Sequence, residues 1–449
     1  MNPAELDQIL AQLQDMLQRS DIDAAIKTIE SLRPPDQADL LSELDEDQQV
    51  ALLIKLNPAD SADILEELED ENAAELMAAL PPDTAVKIVD KMEPDEVADV
   101  LAEISAEHTQ EIIERMEDPQ EIHPLLIHPT DSAGGLMTSE YLALRRRMTT
   151  EDAIAAMRQW QPDAETIYYL FVVDRHGRLS GVVDLRQLIV AAADSTLEEI
   201  MDTDVISVPA GTDQEECARL MSRYDLLALP VVDHQDLLIG VITIDDLVEV
   251  LEDEATEDIQ RFGGSEPLDQ PYLTSSVLGV ARKRVGWLML LFITESLTGT
   301  VLRHFEGELQ SVVALAFFVP LLIGTGGNAG SQTTSTIIRA LALGEIDLKD
   351  AFLSLWHELR VGFFLGLGMA AIAYFRALTW GSEPGLALTV SVAIFTIVMW
   401  ANGLGAILPM IALRLNIDPT VVSGPVMSTL VDATGLFIYF TLARYILGL

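Results

Sequence analysis

An aspartate lies in the middle of a long apolar segment near the end of this 449-residue chain. Residues 421–447 are apolar over a length that crosses a bilayer, and Asp432 lies 11 residues in, about 16 Å along a helix at 1.5 Å per residue. A carboxylate at that depth is costly and usually marks an ion path or a proton relay. The alternative is a neutral, hydrogen-bonded Asp432 that joins two helices. We favour the ion path, because intramembrane acids are functional by default.

Two other polar features interrupt apolar segments. Glu295 lies in the middle of residues 285–302, and by the same argument it is a secondary intramembrane acid that could face a cavity. A glycine-rich stretch, residues 324–332, lies in the segment 312–341. We expect its backbone to be broken there, so that carbonyl oxygens face a water-filled cavity and can bind a hard cation. The alternative is close helix packing through small residues.

The number of ligands constrains the identity of the ion. One carboxylate per chain is too few for a dehydrated Ca²⁺, which takes about six to eight oxygens. If two chains pair about an axis, two Asp432 carboxylates face each other and could hold a divalent ion through its water shell, which suits Mg²⁺. Soft metals are disfavoured, because Cys217 is the single cysteine and the seven histidines show no paired spacing.

Five apolar segments are expected to span the membrane: residues 285–302, 312–341, 361–378, 386–413 and 421–447. If the N-terminal part is cytoplasmic, most basic residues after position 281 lie at cytoplasmic ends, namely Arg282, Lys283, Arg284, Arg339, Lys349, Arg360 and Arg414. Arg303, Arg376 and Arg444 then lie outside. This bias predicts a multi-pass protein of the inner or plasma membrane with an external C-terminus.

The acidic charge of the chain is confined to its first part. The formal net charge is −45, and residues 282–449 carry ten basic and ten acidic side chains, so the whole excess lies before them. So negative a surface makes nucleic acid and anionic lipid poor partners and metal cations natural ones. No basic and apolar leader is visible, and the single Cys217 fits a reducing compartment, so this part is expected in the cytoplasm.

Residues 1–130 contain a 12-residue repeat. A large apolar residue recurs at that spacing, and an apolar pair recurs at the same period, as in Leu52-Leu53 and Ile64-Leu65. The units begin with residues typical of a first helical turn, as in Pro94-Asp95. The pattern predicts short helices stacked in a superhelix, because no single unit can bury its own apolar face.

An internal duplication with an offset of 59 residues follows, in which residues 171–174 return as 230–233 and 181–183 return as 240–242. Short β-branched strands that alternate with helices predict a pair of α/β modules. The layout looks like a tandem of CBS domains, which often bind adenosine nucleotides such as ATP. The second copy keeps Thr243 and Asp246 of the usual nucleotide-binding ending, whereas the first copy has Asp184 and Gln187 instead.

Residues 248–278 link these modules to the membrane segments. The acidic run 252–258 places Glu254, Glu257 and Asp258 on one helical face by i, i+3, i+4 spacing. Such a run is usually a solvated helix face. Immediately before a membrane segment, it lies where ions would approach.

The combination resembles the MgtE family of magnesium channels over essentially the full length. The matching motifs are Gly324-Thr325-Gly326-Gly327-Asn328-Ala329-Gly330, Glu254-Ala255-Thr256-Glu257-Asp258-Ile259, and Asp432 followed by Thr434-Gly435. The resemblance implies a multidomain membrane protein of four parts: an acidic α-helical superhelix (1–130), an α/β tandem of CBS domains (131–257), an acidic connecting helix (258–281) and an all-α membrane domain of five spans (282–449).

The resemblance also implies a homodimer with one pore on its two-fold axis, lined mainly by the second and fifth spans. It implies a pore site for hydrated Mg²⁺ at Asp432, Ser428, Gly327 and Asn328. It implies that cytosolic Mg²⁺ closes the pore by bridging sensor acids, which are Asp90, Asp213, Glu215, Asp225, Asp246, Glu254, Glu257, Asp258 and Asp418. Gly424 and Ser428 stand where family members often have Asn and a small apolar residue, so the cytoplasmic entrance of the pore is expected to be tuned differently.

The sequence thus predicts a Mg²⁺-selective influx channel, with Mg²⁺ as substrate and regulatory ligand. Two alternatives remain open. In a proton- or cation-coupled secondary transporter for divalent metals, Asp432 or Glu295 carries the coupled ion. In a non-conducting regulatory scaffold, the CBS pair senses nucleotide and Asp432 is replaceable by Asn. An enzyme is least favoured, since no nucleophile–base set or phosphate-binding loop is visible.

Overall fold

Ten short helices form the first part of the described chain, in a computed structural model that covers residues 3–19, 21–160, 169–268, 272–273 and 275–449. Proline often occupies the first helical turn, where its missing N–H leaves no hydrogen bond unmade. The helices are α1 (Pro3–Gln18), α2 (Ile22–Ile29), α3 (Pro34–Ser42), α4 (Glu46–Leu53), α5 (Pro58–Glu66), α6 (Asp70–Ala79), α7 (Pro82–Val89), α8 (Pro94–Glu103), α9 (Ala106–Ile113) and α10 (Pro119–Ile122).

These helices pack in two series. Helices α3, α5, α7 and α9 contact one another in order, and α4, α6, α8 and α10 do the same. The apolar pairs of the repeat, such as Leu52-Leu53 and Ile64-Leu65, are buried between them. Because each helix has only about two or three turns, burial against neighbours rather than helix propensity stabilises it. The predicted superhelix is confirmed.

Polar side chains at the repeat spacing also join successive units. Gln37, Gln49, Ser61 and Thr109 each donate a hydrogen bond to the backbone carbonyl eight residues earlier, at 2.8–3.2 Å. The acceptors are Ile29, Leu41, Leu53 and Leu101. These bonds satisfy carbonyls at helix ends that have no intrahelical donor.

Two similar α/β modules follow. Their elements are β1 (Ala143–Arg145), α11 (Thr150–Trp160), β2 (Tyr169–Val173), β3 (Leu179–Asp184), α12 (Leu185–Val190), α13 (Leu197–Ile200), β4 (Val208–Pro209), α14 (Gln214–Tyr224), β5 (Ala228–Val232), β6 (Leu238–Thr243) and α15 (Ile244–Phe262). The sheets have the orders β1-β2-β3 and β4-β5-β6, each with one parallel and one antiparallel pair. Both sheets have a register shift at equivalent positions, in β2 and in β5, which confirms the duplication.

Six helices follow α15, and five of them are long. They are α16 (Val277–His304), α17 (Glu306–Ser311), α18 (Val319–Ala342), α19 (Ala351–Thr379), α20 (Pro384–Arg414) and α21 (Gly424–Leu447). Three short 3₁₀ segments, Val313–Phe318, Leu348–Asp350 and Pro419–Val421, connect them. Among the described residues, five helices are long and apolar enough to cross a membrane, as the sequence predicts.

The chain divides into two units, Met1–Glu252 and Asp253–Leu449. In the second unit α20 is the most buried span and packs against α18, α19 and α21. Helix α16 contacts α21 but buries little else, and apolar side chains such as Phe292 remain exposed on it. The tightly packed centre of this unit is therefore formed by α18, α20 and α21.

The link between the modules and the first span differs from the expected connecting helix, 258–281. Helix α15 begins at Ile244 and ends at Phe262, and the next helix begins at Val277. Gly264 lies just after α15 with a φ of +76°, which favours glycine. The acidic run therefore belongs to the C-terminal half of a helix that begins at the end of β6.

Candidate functional site

Asp432 is half-buried on α21, in the third turn of the helix. Its Oδ1 atom is buried and has no hydrogen-bond partner among the described residues. Two residues further on, Thr434 Oγ1 accepts a hydrogen bond of 2.9 Å from Trp400 Nε1 on α20, which fixes α21 beside α20. A buried carboxylate oxygen without a donor is unfavourable unless a cation, a proton or water supplies the missing interaction.

The glycine-rich stretch is helical. Helix α18 is continuous over Val319–Ala342. The expectation of a broken backbone over residues 324–332 is therefore wrong. The glycines serve close packing instead: a Cβ on Gly326 would lie 2.6 Å from Ile397 Cγ2, and one on Gly330 would lie 2.7 Å from Met427 Cε. Because the carbonyls of the stretch lie in a helix, small side chains rather than carbonyl ligands explain this sequence.

The expected pore residues meet only in part. A Cβ on Gly327 would lie 3.1 Å from Ser428 Oγ, so these two residues face each other across α18 and α21. Ser428 lies one turn before Asp432 on the same helix, and the two share a face. Asn328 is exposed on α18. The structure therefore places Gly327 and Ser428 beside the helix face that carries Asp432.

Glu295 lies on α16, the span that packs against α21. Its side chain is exposed, and its carboxylate is close enough to that of Asp432 for the two charges to interact. The expected secondary acid and the principal acid therefore occupy one region of the second unit.

Acids at the end of α15 meet the loop between α20 and α21. Arg261 Nη1 contacts Asp418 Oδ2 at 2.6 Å, and Arg261 Nη2 forms an ion pair with Glu257. Burial, followed by the charges of Asp418 and Glu257, raises the pKa of Asp258. Burial acts in the same direction on Asp418, but hydrogen bonds from Thr420 and Arg261 hold the pKa of Asp418 below its usual value. Three of the expected sensor acids, Glu257, Asp258 and Asp418, thus surround one arginine.

The end of α15 also reaches the start of α21. The ring of Phe262 lies 3.7 Å from where a Cβ on Gly424 would be. A Cβ on Gly264 would lie 2.4 Å from Trp287 Nε1 on α16, so this position requires glycine for both its space and its φ. The end of α15 therefore contacts the first turn of α21, the helix that carries Asp432.

Three expected sensor acids are exposed on the second module. Asp213 caps α14 and accepts a hydrogen bond of 3.0 Å from the backbone N–H of Glu215. Asp225 ends the same helix with a φ of 53°, a left-handed conformation that Asp tolerates. Each residue has a local structural role, and each carboxylate remains open to solvent.

Asp246 lies in an acidic cluster of the first unit that sequence reasoning missed. Thr243 donates to its carboxylate from the backbone N–H at 3.0 Å and from Oγ1 at 2.7 Å. The opposing residue is Asp95 on α8, which is 6% exposed and whose Oδ1 has no hydrogen-bond partner among the described residues. The other members of this cluster, which we call the α8 acidic cluster, are Asp70, Glu96, Asp99 and Glu249.

Electrostatics in the α8 acidic cluster strongly favour neutralisation. Burial, followed by the charge of Asp246, raises the pKa of Asp95 well above its usual range. Burial and Asp95 raise the pKa of Glu96 to about 10, and burial and Asp70 raise the pKa of Asp99 to about 7. The charges acting on these carboxylates are mainly those of other acids. No three of these acids converge on one metal-binding point among the described residues, so a divalent cation would have to draw the carboxylates closer together.

Asp90, another expected sensor acid, has a structural partner within the superhelix. Its Oδ1 accepts a hydrogen bond of 2.9 Å from the backbone N–H of Glu117, which is an interaction within the superhelix. The signal that could have identified Asp95 instead is the spacing of Asp95, Asp99 and Glu103, which places acids at every fourth position of one helix. The dipeptide Pro94-Asp95 by itself indicates only a helix start.

A pocket lies between the first module and Leu227 of the second module. The lining residues include Tyr169, Asp184, Arg186 and Leu227. Asp184 and Gln187 form a capping box at the start of α12: Asp184 Oδ1 accepts from the N–H of Gln187 at 2.6 Å, and Gln187 Oε1 accepts from the N–H of Asp184 at 2.9 Å. Both side chains are thus engaged with backbone in the structure.

Comparison with known protein families accounts for most of this architecture. Residues 319–442 match the MgtE model, described as a divalent cation transporter, and residues 32–130 match the MgtE intracellular N domain. Residues 133–194 and 197–253 each match the CBS domain. With the five apolar helices, these matches define a multi-pass membrane protein of the divalent cation transporter class, and not an enzyme.

Two relatives share most of their length with this chain. The magnesium transporter MgtE of Thermus thermophilus is 46% identical over 327 residues, which cover 73% of this chain and 72% of that protein. The magnesium transporter MgtE of Bacillus subtilis is 35% identical over 319 residues, which cover 71% and 70%. The chain therefore belongs to the MgtE family of magnesium transporters.

Solved structures resemble the soluble part of the chain. The crystal structure of the cytosolic domain of the Mg²⁺ channel MgtE in complex with ATP is 39% identical, covers 54% of this chain and 99% of its own, and has a TM-score of 0.51. The crystal structure of the soluble part of a magnesium transporter is 30% identical, covers 56% and 99%, and has the same TM-score of 0.51. The helical superhelix and tandem CBS domains are confirmed by these similarities.

Proposed function

We propose that this chain is a Mg²⁺-selective channel for Mg²⁺ influx, closed when cytosolic Mg²⁺ binds to its acidic soluble part. The observation that carries the proposal is Asp432: a carboxylate on an apolar span, with a buried oxygen that has no hydrogen-bond partner among the described residues. An acid in such a position needs a cation, a proton or water. Membership of a family of magnesium transporters supports Mg²⁺ as that cation.

The proposed pore lies between two copies of the chain. One Asp432 per chain supplies too few ligands for a bare divalent ion, whereas two carboxylates about a two-fold axis hold a hydrated Mg²⁺ through its waters. Gly327 and Ser428 would border the ion, since they face each other one turn from Asp432. Asn328, which is exposed in the single chain, would lie near the mouth of the same pore. Cytoplasmic soluble domains and an external C-terminus complete this arrangement.

The proposed gate has one part in the α8 acidic cluster. Without a cation, buried carboxylates such as Asp95 and Asp246 must either bind protons or separate. A Mg²⁺ ion between α8 and α15 would neutralise them and would supply a partner for the orphan oxygen of Asp95. Because the ion binds only the compact arrangement, rising Mg²⁺ shifts the population toward it. The exposed acids Asp213, Glu215 and Asp225 would add further sites.

The second part of the gate is the end of α15. Glu254, Glu257 and Asp258 lie on the half of α15 that precedes Phe262, and Phe262 packs on Gly424 at the start of α21. Arg261 already joins Glu257 to Asp418, so this acid group is partly neutralised without metal. Mg²⁺ bound to the remaining acids would hold the end of α15 against α21 and thereby close the cytoplasmic side of the pore.

A proton-coupled transporter is the second candidate, and one observation favours it. The proximity of Glu295 to Asp432 places two carboxylates together in the membrane part, and such pairs can share a proton. A channel follows the electrochemical gradient of Mg²⁺ alone. A coupled transporter responds in addition to an imposed pH gradient.

The experiment that decides between them is Mg²⁺ uptake into proteoliposomes at a clamped voltage, with and without a pH gradient across the membrane. We expect uptake that follows voltage and the Mg²⁺ gradient and does not change with the pH gradient when the cytosolic face is held at constant pH. Uptake driven by the pH gradient alone would contradict the channel. Absence of uptake by folded, dimeric protein would favour the non-conducting scaffold.

ATP binding to the CBS pair is a further proposal. A related cytosolic domain is solved with ATP, and the pocket at Tyr169 and Arg186 offers an aromatic ring and a cation. Gln187, which stands where an acid would hold a ribose, instead completes the capping box with Asp184. We therefore expect weak ATP binding, which equilibrium dialysis of wild type and Arg186→Ala would measure. Equal binding by the two proteins would contradict this location.

A further inference from the structure

A polar cluster joins α18, α19 and α20 in the membrane part of the chain. Thr333 Oγ1 donates a hydrogen bond of 3.2 Å to Glu358 Oε2, and Asn402 Nδ2 approaches the same oxygen at 3.5 Å. Each residue comes from a different helix. Three spans thus converge on one carboxylate oxygen, and none of these residues belongs to the pore or to the sensor acids described above.

Backbone packing holds the cluster tightly. Asn402 is 1% exposed, and a Cβ on Gly362 would lie 3.2 Å from the Cβ of Asn402. Thr333 is 5% exposed and is pressed against α20, since a Cβ on Gly405 would lie 2.9 Å from the Cβ of Thr333. The three helices therefore have little room to move the polar groups apart.

The cluster lacks one positive partner. Asn402 Oδ1 is buried and has no hydrogen-bond partner among the described residues, although the amide on the same side chain is directed at Glu358. Among the described residues, no Lys, Arg or His forms an ion pair with Glu358. The orphan oxygen thus belongs to a carboxamide that lies beside the partly buried Glu358 carboxylate, and both oxygens would gain from a bound cation.

The donor set indicates the class of cation. Carboxylate, carboxamide and hydroxyl oxygens are hard ligands. A single carboxylate is balanced by one positive charge, whereas a divalent ion would leave a net charge in a low-dielectric interior. Among the described residues no group of three or more metal-ligating acids, histidines or cysteines is found, so a dehydrated divalent ion has too few ligands here.

We propose that Glu358, Thr333 and Asn402 form a binding site for a monovalent alkali cation. The site shares no residue with the proposed path of the transported divalent ion. Glu358 supplies the charge, and the Asn402 carboxamide oxygen and the Thr333 hydroxyl supply neutral ligands. The bound ion ties α18 to α19 and α20. It therefore stabilises the packing of α18, the helix that places Gly327 against Ser428.

Sodium is the probe for a first test, in purified full-length protein kept free of divalent ions with a chelator. The melting temperature, Tm, is followed by tryptophan fluorescence while NaCl replaces choline chloride at constant ionic strength. We expect Tm of the wild type to rise with sodium and to saturate, by on the order of 2 °C or more. Glu358→Gln should abolish this rise, and Glu345→Gln, which alters an exposed acid in the loop before α19, should retain it.

A wild-type Tm that is the same in sodium and choline would overturn the proposal, and so would a sodium response that survives Glu358→Gln. A rise of Tm on acidification that replaces the sodium response would identify a proton site and would also overturn it. A rise of Tm with divalent ions that is lost only in Glu358→Gln would show that the site binds a divalent ion, and this result would also overturn the proposal. If Glu358→Gln does not fold, Thr333→Val keeps the shape against Gly405. In Thr333→Val, the sodium concentration that gives half of the rise in Tm should be several-fold higher than in wild type. An unchanged concentration would contradict the site.

Discussion

At the residue scale, the properties of a few carboxylates depend on what surrounds them. Asp432 and Glu295 can be identified from sequence, because a charged residue inside an apolar segment can be recognised without knowledge of the tertiary structure. Asp95 was not, because Pro94-Asp95 is also typical of a helix start, and its burial against Asp246 arises only when α8 packs near the start of α15. The chemistry of the first pair is local, whereas that of the second requires tertiary structure.

Glu295→Gln tests whether the second intramembrane acid supports conduction. Its charge near Asp432 should raise the local concentration of cations, so we expect Mg²⁺ flux at low Mg²⁺ to fall by about 2- to 10-fold, with a smaller loss at high Mg²⁺. Flux in proteoliposomes at several Mg²⁺ concentrations measures this. Glu306→Gln, which removes an exposed acid after α16, is the control and should have little effect. Equal losses at all concentrations would argue against local attraction.

Asp99→Asn tests the α8 acidic cluster through pH. Burial and the charge of Asp70 raise the pKa of Asp99 from 3.8 to about 7, so between these values the folded protein holds a proton that the unfolded chain has lost. Metal-free stability should therefore fall as pH rises through this window. The variant should be more stable than wild type at pH 8 by about 1–2 kcal/mol.

Thermal unfolding in chelator between pH 5 and pH 8 measures this difference, and added Mg²⁺ should reduce it because the ion replaces the proton. A wild-type Tm that rises across the window would contradict the sign. A variant that loses stability with pH as steeply as wild type would show that Asp99 is not the group responsible.

At the element scale, the spacing of apolar residues predicts well where the short helices lie. The composition of a segment predicts poorly whether its helix is continuous or broken. The 12-residue repeat gave the superhelix, because its apolar pairs recur at the spacing that stacked helices bury. The glycine-rich stretch gave a wrong expectation of broken backbone, since glycine permits both irregular carbonyls and close helix approach. Only the positions of Ile397 and Met427 against α18 decide between the two. The bounds of α15 were missed because its acidic run has no strong stop signal before Gly263-Gly264.

Gly405→Ala tests the close approach of α18 and α20. The added Cβ would lie 2.8 Å from the carbonyl oxygen of Gly330, a backbone atom that cannot turn away. We expect a loss of about 1–3 kcal/mol of stability and a lower Tm. Gly368→Ala on α19, where nothing lies within 4 Å of the added Cβ, should be neutral or slightly stabilising. Equal behaviour of the two variants would contradict the packing described for α18 and α20.

At the scale of the whole molecule, charge asymmetry predicted the division between an acidic soluble part and a neutral membrane part. The two units and the five spans agree with that division. The homodimer and the orientation in the membrane stay predictions, because a single chain has no partner and no bilayer against which to place its apolar faces.

The orientation can be tested with introduced cysteines. Burial, with the charges of Asp213 and Glu216, raises the pKa of Cys217 to about 12, so the native thiol should not react with a maleimide. In intact cells, a membrane-impermeant maleimide should label Gly307→Cys, after the first span, and should not label Glu345→Cys, before the third. Both should label after the membrane is permeabilised. The reverse pattern would contradict a cytoplasmic N-terminal part.

The central claim is a pore built on Asp432 that cytosolic Mg²⁺ closes, and Mg²⁺ uptake into proteoliposomes at fixed voltage tests it most directly. Wild type and Asp432→Ala are compared at low and high Mg²⁺ on the cytosolic face, with folding and dimer formation verified for both. We predict wild-type flux that falls at high cytosolic Mg²⁺ and that is lost in Asp432→Ala. Flux that survives the substitution would remove Asp432 from the pore, and flux that ignores cytosolic Mg²⁺ would contradict the gate.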